Sequence, residues 1–421
     1  MSERIDGSRR SVLKSSLGVV GAVGAGSLLS RPASAATTTV SGGGDALQNA
    51  IDGASDGDTI VVVDSADYSP ITVDVGVTIE TDASPTIVGD GGITSAVGID
   101  ADGVTIRGFR ITNDGGLIGV KINPKDGGVG YNDITVENNL IENLGPTEFL
   151  GVTGVGVGTG SHDNISILGN TIQDLENEVG ERSRFNPTVN GVLLDAKGSG
   201  ADETISNSEV TNNTIRRLTS DIAALGIVTQ QTLDDVAINN NSISGILVDP
   251  GTDSDDSDDS DGGEPGYAFG QGINITSPAT SGVDVNSNRI EEVTVRNTTN
   301  EDVTVFFGES VKIDGDASGA TFRANSFFGP VGLNNQNGAD GAPTVDARNN
   351  YWGSPKGPDT ADSNLNADGD DQSEVIGNVR YRPFQRNDSN REGGKSGGSG
   401  RGGGGGRGGG NGGGGGRGGG R

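Results

Sequence analysis

Cysteine is absent from these 421 residues. That excludes disulfides, thiolate metal sites, a thiol nucleophile and lipid attachment at a cysteine. Histidine occurs once, as His162, so no multi-histidine metal centre can form. Copper chemistry goes with it, because copper needs His, Met or Cys and the only methionine is Met1. Aromatic residues make up 4% and hydrophobic residues 31% of the chain, with few stretches of Leu or Met at helical spacing. This composition speaks against a helical bundle. Beyond the first 35 residues there is no run of 18 apolar residues, so no transmembrane segment is expected in the mature chain.

Glycine is abundant, 75 residues, and 21 of these fall in the last 31 positions. The formal charge is −29. The leader carries five Lys/Arg and two Asp/Glu, and the last 31 residues six and one. Residues 36–390 therefore hold 29−5−6 = 18 positive and 58−2−1 = 55 negative groups, a net −37. Such a surface is expected of a protein adapted to molar salt, where the screening length shrinks to about 3 Å. Ser8-Arg9-Arg10-Ser11 precedes a weakly apolar stretch, then Arg31 and Ala33-Ser34-Ala35. A basic start, apolar middle and small-residue end are the parts of an export signal, and the arginine pair places it in the twin-arginine class. Residues 1–35 read as a twin-arginine signal peptide, and the mature protein as extracellular or cell-surface.

From about residue 100 one pattern recurs: apolar-x-apolar-x-small-Asn-x-apolar. It appears as Ile134-Thr-Val136-Glu-Asn138-Asn139-Leu-Ile141 and Ile165-Ser-Ile167-Leu-Gly169-Asn170-Thr-Ile172. It returns around Asn213, Asn241, Asn288, Asn325 and Asn350. Val104-Thr-Ile106-Arg-Gly108-Phe109-Arg-Ile111 matches without the asparagine. Period-two alternation means strands with one buried face. A repeat every 25–47 residues means stacked supersecondary units. The segments between repeats, such as Gly119-Val-Lys-Ile122, Gly191-Val-Leu-Leu194 and Gly272-Ile-Asn-Ile275, are again short alternating runs. The chain is therefore expected to coil into a parallel β-solenoid with aliphatic ladders inside. The repeated asparagine is expected in a left-handed turn, its amide bonding to the coils above and below.

Ends of a solenoid need covers. Leu47, Ala50 and Ile51 suit a short N-terminal capping helix, and Val379–Phe384 a final edge strand or lid. With Gly57-Asp-Thr-Ile-Val-Val and Asn349-Asn-Tyr-Trp-Gly-Ser-Pro, the chain resembles secreted right-handed parallel β-helix proteins of the pectate-lyase-like superfamily. It looks most like haloarchaeal-type members akin to the nitrous-oxide-reductase accessory β-helix family. The resemblance implies an all-β, single-stranded right-handed parallel β-helix over residues 36–385, followed by a disordered Gly/Arg-rich tail, 386–421. That fold hosts lyases, hydrolases, adhesins and inert surface proteins, so it implies fold more than activity.

The enzymes of that superfamily work with paired aspartates, Gly-His-Gly and Arg-x-Lys, or with an arginine base and calcium. Here Asp234-Asp235 is a lone pair, more suited to a polar turn, and Arg-x-Lys is missing. The candidate catalytic residues are His162, Asp163, Arg182, Arg184, Asp195 and Lys197, lying in or beside two insertions that in-register coils would set side by side. His162 stands out because its ordinary titration lies near neutrality. Phe149 and Phe185 are candidate sugar-stacking residues. Calcium is the one cofactor suggested. Asn364-Leu-Asn-Ala-Asp368-Gly-Asp370 resembles half of a calcium loop, with Asp368 and Asp370 as ligands, though Val375 stands at the twelfth position. Asn164, Asn274, Asn297 and Asn387 begin Asn-x-Ser/Thr and are candidate glycan sites.

The expected partner is a polysaccharide or surface glycan, bound along one face without turnover. A lyase or hydrolase acting on uronic-acid polymers, and a purely structural surface protein, are the alternatives. No specific nucleic-acid binding is expected, since the arginines of the tail have no aromatics between them. Oligomeric state is not legible in the sequence.

Overall fold

A computed structural model describes residues 35–125, 129–146, 151–177, 188–195, 203–250, 266–296, 303–305, 308–336, 344–360 and 373–390. Contacts divide the chain into Met1–Ala35, which lies outside these apart from Ala35, and Ala36–Arg421. The second unit is a parallel β-helix. Among the described residues its strands form three sheets of 14, 10 and 12 strands, each pairing parallel to strands of neighbouring coils. One coil runs Ile134–Glu137 in the first sheet, Leu140–Gly145 in the second and Val152–Val157 in the third. The next runs Ile165–Leu168, Thr171–Asn177 and Thr188–Leu194. Alternation in each strand sends one set of side chains inward, where register stacks like on like. In the second sheet Ile87, Ile111, Ile141, Ile172, Ile215, Ile243 and Ile290 lie one above another and end on Phe327. All are buried. The inward stack of the third sheet runs Val97, Val120, Val155, Val192, Ile227, Ile273, Val311 and Leu333.

The repeated asparagines form a buried string at the turn between the first and second sheets. Each Oδ1 accepts the backbone N–H of its counterpart one coil earlier, from Asn139 to Asn170 at 3.0 Å through to Asn325 to Asn350 at 2.8 Å. Each Nδ2 donates to a carbonyl of the preceding coil, as Asn213 does to Ile167 O at 2.8 Å. The string starts where the motif loses its asparagine: Phe109 N–H donates to Asn139 Oδ1. The left-handed conformation belongs to the residue before, not to the string asparagine as the repeat pattern suggests. Gly108, Asn138, Gly169, Asn212, Asn240, Ser287, Ala324 and Asn349 all have φ between 54° and 87°. Two jobs expected of one residue are thus split between neighbours: one bends the chain, the other satisfies its polar groups.

Glycines form a further stack where the third sheet faces the second. A Cβ on Gly119, Gly154, Gly191, Gly226 or Gly272 would stand 2.4–2.8 Å from the Cγ2 of an isoleucine in the stack opposite and about as close to a carbonyl oxygen of the next coil. The close approach of sheets two and three depends on their having no side chain.

At the N-terminal end a short helix, Ala46–Asp52, buries Leu47 and Ile51 in the core. At the other end Trp352 is buried, with its ring centroid 5.0 Å from that of Phe327, and Val379–Arg380 adds to the first sheet.

Candidate functional site

Two outer faces carry the features from which a site can be built. The first is a groove of ≈ 980 Å³ on the second sheet. Four residues after each of the first five string asparagines, Asn139 to Asn288, the strand bulges through a left-handed residue: Asn143, Asp174, Arg217, Gly245 and Glu292, with φ of 55–63°. The pairing register skips these positions on each strand, so they stack from coil to coil. A bulge bends its strand, and stacked bulges bend the whole sheet. The groove therefore runs along the solenoid axis from the coil of Arg110 to that of Arg296, five steps of about 4.8 Å, or about 24 Å. Its three arginines are each paired with a carboxylate. Arg217 grips Asp174 with two bonds, Nε to Oδ1 at 2.5 Å and Nη2 to Oδ2 at 2.7 Å. Arg110 donates to Glu142 at 2.7 Å, and Arg296 pairs with Asp249. The hydrogen bond from Arg217 holds the Asp174 carboxyl below its usual range, against a smaller opposing effect of burial. Leu144 and Leu175 turn into the core behind the groove, and Leu247, half-buried, is the apolar side chain among these polar groups.

The second face is the outer side of the third sheet. Asn274 lies between the core residues Ile273 and Ile275 and so points outward. Its Nδ2 donates to Gln271 Oε1 at 2.6 Å. Gln271 in turn donates to Glu309 Oε2 at 2.8 Å, and Asn334 donates to Glu309 Oε1 at 2.6 Å. All four are buried, as is Glu374. Burial pushes the Glu309 carboxyl above its usual range despite those two amide bonds. Burial, with Asp359 beside it, does the same to Glu374. Register places Glu309, Val331 and Glu374 in one column, so the two acids lie two coils apart, about 9.6 Å between backbones.

His162 is not in either place. It is 1% exposed, and its Nδ1 and Nε2 lie 2.9 and 3.0 Å from the carbonyl oxygens of Tyr131 and Gly158. A Cβ on Gly130 would stand 2.5 Å from the ring. The residue expected to carry a proton in an open groove is a buried clasp between coils, with no nitrogen left for a substrate. Asp163 points the other way. It is exposed and accepts from Ser206 Oγ and Asn207 Nδ2, both at 2.7 Å, and these bonds lower its carboxyl below the usual range. The two adjacent residues are thus not an acid/base pair. Asp195 directly follows the third-sheet strand Thr188–Leu194 and is half-buried. Arg182, Arg184, Lys197, Phe149, Phe185, Asp368, Asp370 and Asn297 lie outside the described residues. Asn274 is a correction. Its Asn-x-Ser/Thr motif suggests a glycan site, but it is buried mid-strand with its amide engaged. Asn164 is exposed, and its Nδ2 donates to Asp133. Asn387 is exposed. Asp234-Asp235 is a further correction: the pair lies within the strand Thr232–Asn239 and not in a polar turn, and Asp235 is a left-handed bulge that the pairing register skips.

Sequence reasoning missed both outer faces. The groove had a signal, the fourth residue after the first five repeated asparagines, but Asn143, Asp174, Arg217, Gly245 and Glu292 share no chemistry. The third-sheet network had none, since Gln271, Glu309 and Asn334 come from three coils without a common motif.

No family model and no curated protein matches the sequence. Solved structures do match it. A GH136 lacto-N-biosidase from Eubacterium ramulus has 12% identity and a TM-score of 0.48, over 82% of this chain and 68% of that one. An alginate lyase from a Paenibacillus species has 16% identity and a TM-score of 0.37, over 82% and 99%. Pectate lyase Pel9A has 11% identity and a TM-score of 0.37, over 83% and 79%. At such identities the likeness concerns architecture. Among the described residues no helix is long and apolar enough to cross a membrane.

Proposed function

We propose that this β-helix binds an extended, hydroxyl-rich polymer, a polysaccharide or surface glycan, along the groove of the second sheet. The observation that carries this is the groove itself: it spans six coils, runs with the axis, and is lined chiefly by hydrogen-bonding side chains, with Leu247 among them. Sugar rings offer hydroxyls at their edges and C–H groups on their faces, and an axial groove lets one chain meet the same lateral position coil after coil. Binding without cleavage suits the carboxylate at its centre. A general acid needs a raised pKa, and Asp174 is held low by Arg217. The export signal of residues 1–35 agrees with a role outside the cell or at its surface, and the pectate-lyase-like resemblance of the repeats is part of the same reading.

Calorimetric titration of the full chain in high salt with neutral and uronic-acid polysaccharides tests the proposal. Saturable binding is expected, weakened about tenfold in the Asp174→Ala/Arg217→Ala double variant, with polymer length unchanged. Binding that ignores the double variant would remove the groove from the proposal.

A second reading, cleavage of the polymer at the outer face of the third sheet, is favoured by one observation. Glu309 and Glu374, both raised by burial, share a column there, and raised carboxyls collect at functional sites. New reducing or unsaturated ends that vanish in Glu309→Gln would establish it in place of simple binding.

A further inference from the structure

The described chain does not end at the last coil. After Phe384 it turns back along the outside of the solenoid. Gln385 N–H donates to Asn350 O at 2.8 Å. Three residues on, Asp388 accepts from Ser326 Oγ at 2.6 Å and pairs with Arg289. Asn390 Nδ2 then donates to Ala324 O at 2.6 Å and Asn288 O at 3.3 Å. Contacts thus step from the coil of Asn350 to that of Asn325 to that of Asn288, toward the N-terminal end. Residues 386–390, expected to belong to the tail, are a strap on the body. The strap delivers the chain to Arg289, and Glu292, three residues further along that coil, lines the groove.

Beyond Asn390 the sequence continues through 391–421, with 21 glycines, six Lys/Arg and one acid, Glu392. A glycine-rich chain of this length spans about 30 Å root-mean-square, against a groove of about 24 Å. Within the groove Arg110, Arg217 and Arg296 are each held by a carboxylate. Asp114 at one end and Glu292 at the other add negative charge that these pairs do not cancel. Backbone amides of glycine and guanidinium groups are the hydrogen-bonding surface that a polyhydroxyl chain would also present.

We propose that the segment Arg391–Arg421 is a tethered occupant of the second-sheet groove, competing with the polymer for it. The occupancy stands on the strap and the charges; the competition rests on the polymer reading above. A tether of this kind holds its ligand at an effective millimolar concentration, so a weak contact suffices. The polymer must displace the tail, and binding is correspondingly attenuated.

The absence of cysteine makes the test clean. Two full-length chains are compared under mild oxidation, each with Gly409→Cys in the tail. One adds Thr219→Cys in the groove. The other adds Thr321→Cys on the first sheet, in a coil that the strap already touches. Proximity to the tether alone favours the Thr321→Cys partner. Occupancy of the groove predicts disulfide formation about tenfold faster with Thr219→Cys, a difference lost when the six tail Lys/Arg are changed to Gln. Equal rates, or a faster reaction with Thr321→Cys, would overturn the proposal. The six-Gln full chain is also titrated with polymer, and about tenfold tighter binding is expected. A Thr219→Cys preference with no polymer bound by either chain would uphold occupancy and remove the polymer reading. Polymer binding equal in both chains, without that preference, would remove the occupant and leave the polymer reading intact.

Discussion

Asn213 sits mid-string and serves two coils. Its Oδ1 accepts from Asn170 N–H, and its Nδ2 donates to Ile167 O and Asn241 Oδ1. Asn213→Ala leaves these groups buried without partners and is expected to cost ~3 kcal/mol or more. Asn212→Gly changes only the left-handed bend, which glycine adopts freely, and should cost little. Urea denaturation of the pair measures the contrast, and equal losses would mean that the string bears no weight of its own. His162→Phe keeps a ring but withdraws the nitrogens facing Tyr131 O and Gly158 O, for about 2 kcal/mol. The histidine could be singled out in sequence because it is alone. Its burial could not, because it depends on Gly130, 32 residues earlier, leaving room for the ring.

Between elements, the glycine stack and the two outer faces make separate predictions. Gly191→Ala would set a methyl 2.6 Å from both Ile215 Cγ2 and Gly226 O. Overpacking at this level costs about 1–3 kcal/mol, seen as a lowered urea midpoint. The alternating runs that begin with these glycines were legible as strands. That the glycine itself sets the distance between sheets was not, since a strand pattern records which residues face inward and not how near the opposite wall stands. The asparagine spacing, by contrast, disclosed the coils and their register directly, because one polar residue repeated in an aliphatic context needs a partner of its own kind above and below. On the outer faces the pH responses have opposite signs. Asp174 is lowered by Arg217, so its contribution is present above its ordinary value near 3.8 and is lost as pH falls through the lowered one. Arg217→Gln should erase that acid-side loss. Glu309 is raised, so its contribution is complete below about 4.5 and is lost as pH rises through the raised value. Glu309→Gln should flatten stability across the window above 4.5, read as melting temperature against pH. A slope unchanged by the substitution would place the buried charge elsewhere.

At the scale of the whole molecule, residues 36–390 carry a net −37. Unfolding midpoints should rise steeply with salt, as self-repulsion over a long solenoid is screened, and a flat response between about 0.1 and 2 M would contradict that. The composition disclosed this charge but not its arrangement, since the pairing of Arg110, Arg217 and Arg296 emerges only when residues from different coils are laid side by side. The amide string has one more consequence. Because every link from Asn139 to Asn350 is made by the same atoms in the same sense, the link has a direction but no address. Copying residues 213–240 in tandem would hand each amide an identical neighbour and lengthen the molecule by a single step, whereas copying half of them would leave two amides facing aliphatic walls. The length of such a protein is therefore counted in whole turns, as a screw is cut, and its descendants can grow or shrink by integers alone.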